Sequence, residues 1–94
     1  MSKIINPKAD YIAIENFSLN DYHIVLNGSD TFVKSVEFKK DDEISTSSQS
    51  GSLGDIWKVT NLRTNETAKF WSYDYGLPKE LKNKVIHSSK TKTD

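Results

Sequence analysis

Aromatic side chains are concentrated in one part of this chain, and they are the residues best suited to bind a ligand. Among the 4 Phe, 4 Tyr and 2 Trp residues, the densest group is Trp57, Phe70, Trp71, Tyr73 and Tyr75. Trp and Tyr join a large apolar ring to a polar N–H or O–H, so they settle at membrane interfaces, stack on sugar rings and anchor protein interfaces. We therefore predict a ligand-binding site formed by Trp71, Tyr73, Tyr75 and Trp57.

The alternation of a β-strand decides which of these rings can act together. Successive side chains of a strand point to opposite faces, which places Trp71, Tyr73 and Tyr75 on one face and Phe70 on the other. One face can enter the core, and the other is then either covered by a second sheet or exposed to a ligand. The alternative is that every ring is buried, because only 35% of the residues are hydrophobic and a small domain needs all its large side chains.

Catalytic and metal-binding patterns are missing from the sequence. The two histidines, His23 and His87, stand in different segments, with no spacing that would bring two ligands together. The nucleophile pattern G-x-S-x-G and the glycine-rich phosphate loops do not occur. The carboxylates at 41–43 are consecutive, whereas a calcium loop alternates its ligands, so a solvated turn is expected there. We predict a non-enzymatic protein with no catalytic residues, no metal and no cofactor.

The composition narrows the class of partner and the compartment. The 94 residues include 13 Lys+Arg and 13 Asp+Glu, which indicates one small domain without net charge. Nucleic-acid binding depends on Lys and Arg displacing counterions, so no nucleic-acid partner is expected. Cys is absent, which excludes disulfides and fits a reducing cytosol. The sequence lacks a standard secretory signal and an apolar run long enough to span a bilayer, so the default expectation is a cytoplasmic protein.

The rest of the pattern is typical of strands. Short runs rich in aromatic and β-branched residues recur about every ten residues, separated by Asn, Asp, Gly and Ser. This predicts an all-β fold, namely a small antiparallel β-sandwich of six to eight strands. The predicted elements are a strand at 10–15, a turn at 16–21, a strand at 22–26, an Asn27-Gly28 turn, a strand at 31–38, and a hairpin of 55–60 with 67–73.

Two of these segments carry more specific expectations. In the third strand, Phe32, Val36 and Phe38 share one face, which Lys34 interrupts, and this indicates a bulge or an edge where the ammonium group reaches water. The Ser-rich and Gly-rich stretch 45–54 has little to bury, and we expect it to be a mobile loop.

The C-terminal segment admits two structures. Residues 78–87 fit one short helix, with Leu81 and Val85 four residues apart, and a strand over 84–87, where β-branched residues are adjacent, fits almost as well. The predicted domain organisation is an N-terminal arm at 1–9, the β-sandwich at 10–87 and a disordered tail at 88–94.

The hairpin and its approach resemble the aegerolysin family, small β-sandwich hemolysin-like proteins that bind membrane lipids. Members enter the hairpin through a Gly-Thr-x-Gly-x-Phe-x-Leu-type strand and close it with an aromatic-Trp-Asp-Cys-Pro-Trp-Gly-type segment. The comparable residues here are Gly-Ser-Leu-Gly-Asp-Ile at 51–56, Phe-Trp-Ser-Tyr-Asp-Tyr-Gly at 70–76, and an upstream strand at 12–16 that ends in Asn. The likeness covers about residues 10–76, and Tyr73 and Asp74 replace the Cys and Pro. A von Hippel-Lindau β-domain-type sandwich presents a similar order of Gly, Trp and strands.

The resemblance implies a β-sandwich that binds membrane lipid or another amphiphile. We expect Trp71, Tyr73 and Tyr75 to lie at the headgroup boundary, with Trp57 bracing the sheet. A protein–protein interaction or inhibitor module, phage-encoded or of the immunity type, is the alternative expectation. Carbohydrate binding by ring stacking is a third.

Overall fold

Seven β-strands make up the part of the chain that the structure describes. The computed structural model describes residues 8–24, 30–51, 54–73 and 76–88. The strands are β1 (Tyr11–Ala13), β2 (Phe17–His23), β3 (Thr31–Phe38), β4 (Glu43–Gly51), β5 (Gly54–Asn61), β6 (Glu66–Ser72) and β7 (Val85–His87). No helix lies within these ranges, so the all-β class predicted from the sequence is confirmed.

The strands form two antiparallel sheets that pack as a sandwich. The larger sheet has the order β6-β5-β4-β1-β7, and the smaller sheet pairs β2 with β3. Strands β4, β5 and β6 form a meander with a regular register, which contains the predicted hairpin of β5 and β6. The β4–β5 hairpin ends where Gly51 opposes Gly54, and we call this end of the larger sheet the tip.

The main core lies between the sheets and uses one face of each. Phe38, on the smaller sheet, is 1% exposed, and its ring stacks on Phe17 with centroids 4.9 Å apart. Each large apolar side chain buried in this way stabilises the fold by about 1.5–3 kcal/mol. The buried members of this core are Ala13, Leu19, Val36, Phe38, Ile44, Val59, Ala68, Phe70, Leu81 and Val85.

A second, smaller cluster holds the described ends of the chain together. Ala9 and Ile12 are buried there, with Leu62 and Ile86 packed against them. The Ser88 hydroxyl donates a hydrogen bond to the carbonyl of Ala9 at 2.8 Å. The other residues of the predicted arm and tail, 1–7 and 89–94, lie outside the described residues.

The turn predicted at 16–21 was wrong from Phe17 onward, because residues 17–21 belong to β2. Phe17 and Leu19 alternate toward the core, while Ser18 and Asn20 are exposed. Asn and Asp are common in turns, and here they occupy the exposed positions of a strand, which hid the alternation. The Asn27-Gly28 turn predicted between β2 and β3 lies outside the described residues.

The mobile loop predicted at 45–54 was also wrong for most of its length. Residues 45–51 continue β4, residue 54 begins β5, and 52–53 lie outside the described residues. From Ser45 to Gly51 every position is paired with β5. A ladder of backbone hydrogen bonds can order a strand whose small polar side chains bury almost nothing.

A β-bulge interrupts the pairing of β2 with β3, which confirms the bulge predicted from the sequence of residues 31–38. Asp21 opposes Lys34, whereas Tyr22 opposes Phe32. Val33 is therefore the extra residue on β3.

The bulge also explains why Phe32 does not share a face with Val36 and Phe38, as the sequence predicted. Val36 and Phe38 are buried, but Phe32 is 54% exposed. An extra residue reverses the alternation of side chains beyond it, so Phe32 turns out of the core while Val36 and Phe38 stay in it.

The C-terminal segment forms a turn followed by a strand. The N–H groups of Leu81 and Lys82 both donate to the carbonyl of Pro78, at 2.9 and 3.1 Å. Asn83 then adopts a left-handed conformation with φ of 66°, which stops the chain from continuing as a helix. Strand β7 follows and pairs with β1, so the strand is the correct one of the two alternatives.

Candidate functional site

The face of β4, β5 and β6 that points away from the core carries the predicted residue Trp71. We call it the outer face. Its side chains form three rows that cross the three strands: Gln49, Ile56 and Trp71 nearest the tip, then Ser47, Lys58 and Lys69, then Ser45, Thr60 and Thr67.

The tip extends beyond the cover of the smaller sheet. Ser48, Gln49, Ser50 and Gly51 are all exposed, although successive residues of a strand point to opposite faces. Both sides of β4 are therefore open to solvent at this end, and the tip is accessible to a large partner or a surface.

Two predicted rings come together at the tip. Trp71 and Tyr73 stack with centroids 6.5 Å apart and planes 8° from parallel. Tyr73 is 76% exposed, and Trp71 is half-buried. The rings lie over two glycines: a Cβ built on Gly51 would be 3.8 Å from the Trp71 ring, and one built on Gly54 would be 2.8 Å from Cδ1 of Tyr73. The missing side chains let both rings lie close to the backbone.

The structure places Trp57 on the other side of the same sheet. Trp57 opposes Phe70 and packs, partly buried, against the main core. Its indole N–H is buried and has no hydrogen-bond acceptor among the described residues. The sheet separates Trp57 from Trp71, so the two indoles cannot lie against one face of a ligand. Tyr75, the fourth predicted site residue, lies outside the described residues.

Two lysines that the sequence did not single out lie beside the rings. Lys58 directly opposes Lys69, in the row next to Ile56 and Trp71. A groove of about 420 Å³ runs between these lysines and β2. The register of the hairpin could have revealed this pair, because its turn length determines which residues oppose one another. Aromatic spacing carries no information about the charged positions of the hairpin.

The solvated turn expected at 41–43 was wrong for Asp42, which is 6% exposed. Arg63 donates from Nε to Oδ1 of Asp42 at 2.7 Å and from Nη2 to Oδ2 at 3.1 Å. Oδ2 also accepts from the backbone N–H of Lys39 and from Nδ2 of Asn61, both at 2.8 Å. Asn61, fully buried, donates further to the carbonyl of Glu37. This network joins the β3–β4 turn to the β5–β6 turn, at the end of the sheet opposite the tip.

The network keeps Asp42 ionised. Burial alone would raise the pKa of Asp42, but the hydrogen bonds from Arg63, Lys39 and Asn61, together with the positive charge of Arg63, outweigh burial and lower that pKa below its usual range. The carboxylate oxygens of Asp42 accept hydrogen bonds from Arg63, Lys39 and Asn61, which connect the two turns, so we assign Asp42 a structural role.

Gly54→Ala is expected to destabilise the protein and to separate the two stacked rings. Gly54 has φ of 140°, and an added Cβ would lie 2.8 Å from Cδ1 of Tyr73 and 3.1 Å from the carbonyl oxygen of Ser72. Backbone strain of this kind costs about 1–3 kcal/mol, and the Tyr73 ring must also move. Urea unfolding measures the stability change, and the tryptophan fluorescence of the folded state, to which Trp57 and Trp71 both contribute, reports the ring movement.

Gly76→Ala is the matched control for this change. Gly76 also has a positive φ, of 79°, but nothing lies within 4 Å of an added Cβ. Gly76→Ala should lower the free energy of unfolding by about 1 kcal/mol, through backbone strain alone, and leave the folded-state fluorescence unchanged. Equal fluorescence changes in both variants would contradict the packing of Tyr73 on Gly54.

Comparison with protein-family models, with curated proteins and with solved structures finds no match to this chain. Among the residues that the structure describes, no group of three or more His, Asp and Glu side chains is placed to hold a metal ion. In the same ranges, no helix is long and apolar enough to cross a membrane.

Proposed function

We propose that this protein is a non-enzymatic binding module that attaches to membrane lipid, or to another amphiphile, through the tip. One observation carries this proposal: Trp71 and Tyr73 form a stacked pair at an end of the sheet where the described residues of β4 are exposed on both faces. Tyr73, at 76% exposed, presents a ring and a hydroxyl to solvent.

The physical character of this pair suits the boundary between headgroups and acyl chains. Trp and Tyr concentrate there because the apolar ring is removed from water while the N–H or O–H stays hydrated. Ile56, directly opposite Trp71, extends the apolar surface across β5. Such insertion needs no net positive charge on the protein, which agrees with a neutral chain. The resemblance to lipid-binding β-sandwich proteins points to the same function.

Vesicle flotation of wild type and of Trp71→Ala and Tyr73→Ala tests this function. Wild type is expected to float with phosphatidylcholine-containing vesicles, and each variant to lose about 10- to 100-fold in affinity, because one ring inserted in the interface contributes about 1.5–3 kcal/mol. Ile14→Ser is the control, since Ile14 is a 40% exposed apolar side chain that follows β1, far from the tip. Failure of the wild type to bind vesicles of any composition would overturn the proposal.

A protein partner on strand β3 is the second candidate. The first five residues of β3 are exposed, and among the described residues β3 pairs only with β2. Phe32 and Val33 are each 54% exposed on this edge. An extended segment of a partner can add itself to such an edge through backbone hydrogen bonds. If this candidate is correct, Val33→Pro should abolish capture of a stoichiometric protein partner, while Trp71→Ala should leave it intact.

A further inference from the structure

We infer that Lys58 and Lys69 bind the phosphate of an anionic phospholipid headgroup, an inference that rests on the membrane attachment proposed above. The two lysines directly oppose one another across β5 and β6. Like charges in this arrangement repel and lower the stability of a sheet. Among the described residues neither ammonium has an ion-pair or hydrogen-bond partner. A bound anion would remove this repulsion.

The lysines and the rings follow one another along the strand in the same order as the phosphate and the acyl chains follow one another along a phospholipid. Lys69 and Trp71 are two residues apart on one face, which is about 7 Å along the strand. With the tip turned toward the bilayer, Trp71 and Tyr73 lie at the base of the headgroup layer. The lysines lie one row farther from the acyl chains, where a flexible ammonium reaches phosphate oxygens.

The row beyond the lysines adds a hydroxyl to the same groove. Thr67 lines the groove together with Lys58 and Lys69, and its hydroxyl oxygen is 2.8 Å from that of Thr60. When Thr60 donates this hydrogen bond, the Thr67 hydroxyl keeps its own hydrogen for a ligand oxygen.

One carboxylate also lines the groove, and it does not cancel the positive charge. Oδ1 of Asp21 accepts the backbone N–H of Lys69 at 2.9 Å, which ties β2 to β6. The groove is therefore lined by two ammonium groups and one carboxylate, and its excess formal charge is positive.

Flotation of the full chain with two kinds of vesicle tests this inference. One kind contains phosphatidylcholine alone, and the other also contains phosphatidylglycerol. The double variant K58Q/K69Q should lose roughly 10- to 30-fold in affinity for the anionic vesicles and little for the neutral ones, since each lysine near an anionic surface contributes on the order of 1 kcal/mol. The double variant K39Q/K40Q removes the same charge from the β3–β4 turn, at the opposite end, and should bind as wild type does. Raising the salt concentration should remove the preference for anionic vesicles.

The outcomes separate the lysine pair from membrane binding itself. If K58Q/K69Q binds anionic vesicles as tightly as wild type while Trp71→Ala does not bind, the phosphate site is overturned and the membrane function stands. If wild type binds no vesicles, both are overturned. Soluble glycerol phosphate or a thymidine oligonucleotide should not compete with the vesicles, and strong competition by either would overturn the assignment of the lysines to a lipid headgroup.

Discussion

Phe38→Ala is expected to lower the free energy of unfolding by about 3–5 kcal/mol. Phe38 is 1% exposed, and its ring stacks on Phe17 with planes 5° apart. Removing it deletes this stacking contact within the smaller sheet and leaves a cavity in the main core. A domain of this size has about 5–14 kcal/mol of stability in total, so the variant loses a large part of it. Urea unfolding followed by tryptophan fluorescence gives the value.

Phe32→Ala is the matched control, because it removes the same side chain from the same strand. Phe32 is 54% exposed, and its described ring contact is an edge-on one with Tyr22 at 6.0 Å. Its loss should cost at most about 1 kcal/mol. A cost equal to that of Phe38→Ala would contradict the outward position that the bulge gives to Phe32.

Asp42→Ala is expected to lower the free energy of unfolding by about 2–4 kcal/mol. This is the second large effect that we predict on stability. The change leaves one N–H of the fully buried Asn61 amide without its acceptor, which costs about 1–3 kcal/mol, and it also removes the acceptor of the backbone N–H of Lys39. The Arg63 side chain is 49% exposed, so water can solvate it after the change, and little of the cost comes from Arg63. Glu15→Gln, at a 54% exposed carboxylate paired loosely with Lys84, should cost below about 1 kcal/mol.

The same carboxylate gives the stability a defined pH dependence. The pKa of Asp42 is lower in the folded protein than in the unfolded chain, so ionised Asp42 favours the folded state. This contribution is complete above the unfolded pKa of about 4 and is lost as pH falls through the lower, folded pKa. The free energy of unfolding of wild type should therefore exceed that of Asp42→Asn at neutral pH, and this difference should shrink progressively below about pH 4. A difference that stays constant down to acid unfolding would contradict the lowered pKa.

The β-sandwich could be predicted from the sequence because a strand with one buried face shows an alternation of apolar and polar residues within its own segment. The alternation in 55–60 and 67–73 is visible without any knowledge of neighbouring strands, and β5 and β6 lie close to those bounds. In strands β2 and β4 this alternation is less clear. Ser, Asn and Thr fill their exposed positions, and these residues are equally common in turns.

The candidate site was predictable only in part. The rings at 71 and 73 follow from strand parity, and the structure places them together. Trp57 was grouped with them because it is close in sequence, but a sheet has two faces, and pairing with Phe70 puts Trp57 on the core side. The opposition of Lys58 to Lys69 depends on register, which hydrophobic spacing along one strand does not record.

The amino-acid sequence by itself determined that this chain is a small all-β protein with rings on both faces of one strand, because composition and alternation are local properties. The tertiary structure decided which of those rings meet solvent and which charges stand beside them. It also decided that Asp42 is buried and Phe32 exposed. These outcomes depend on register, on one extra residue at the bulge and on how far the smaller sheet reaches along the larger one, and each of these is fixed by contacts between residues distant in the chain.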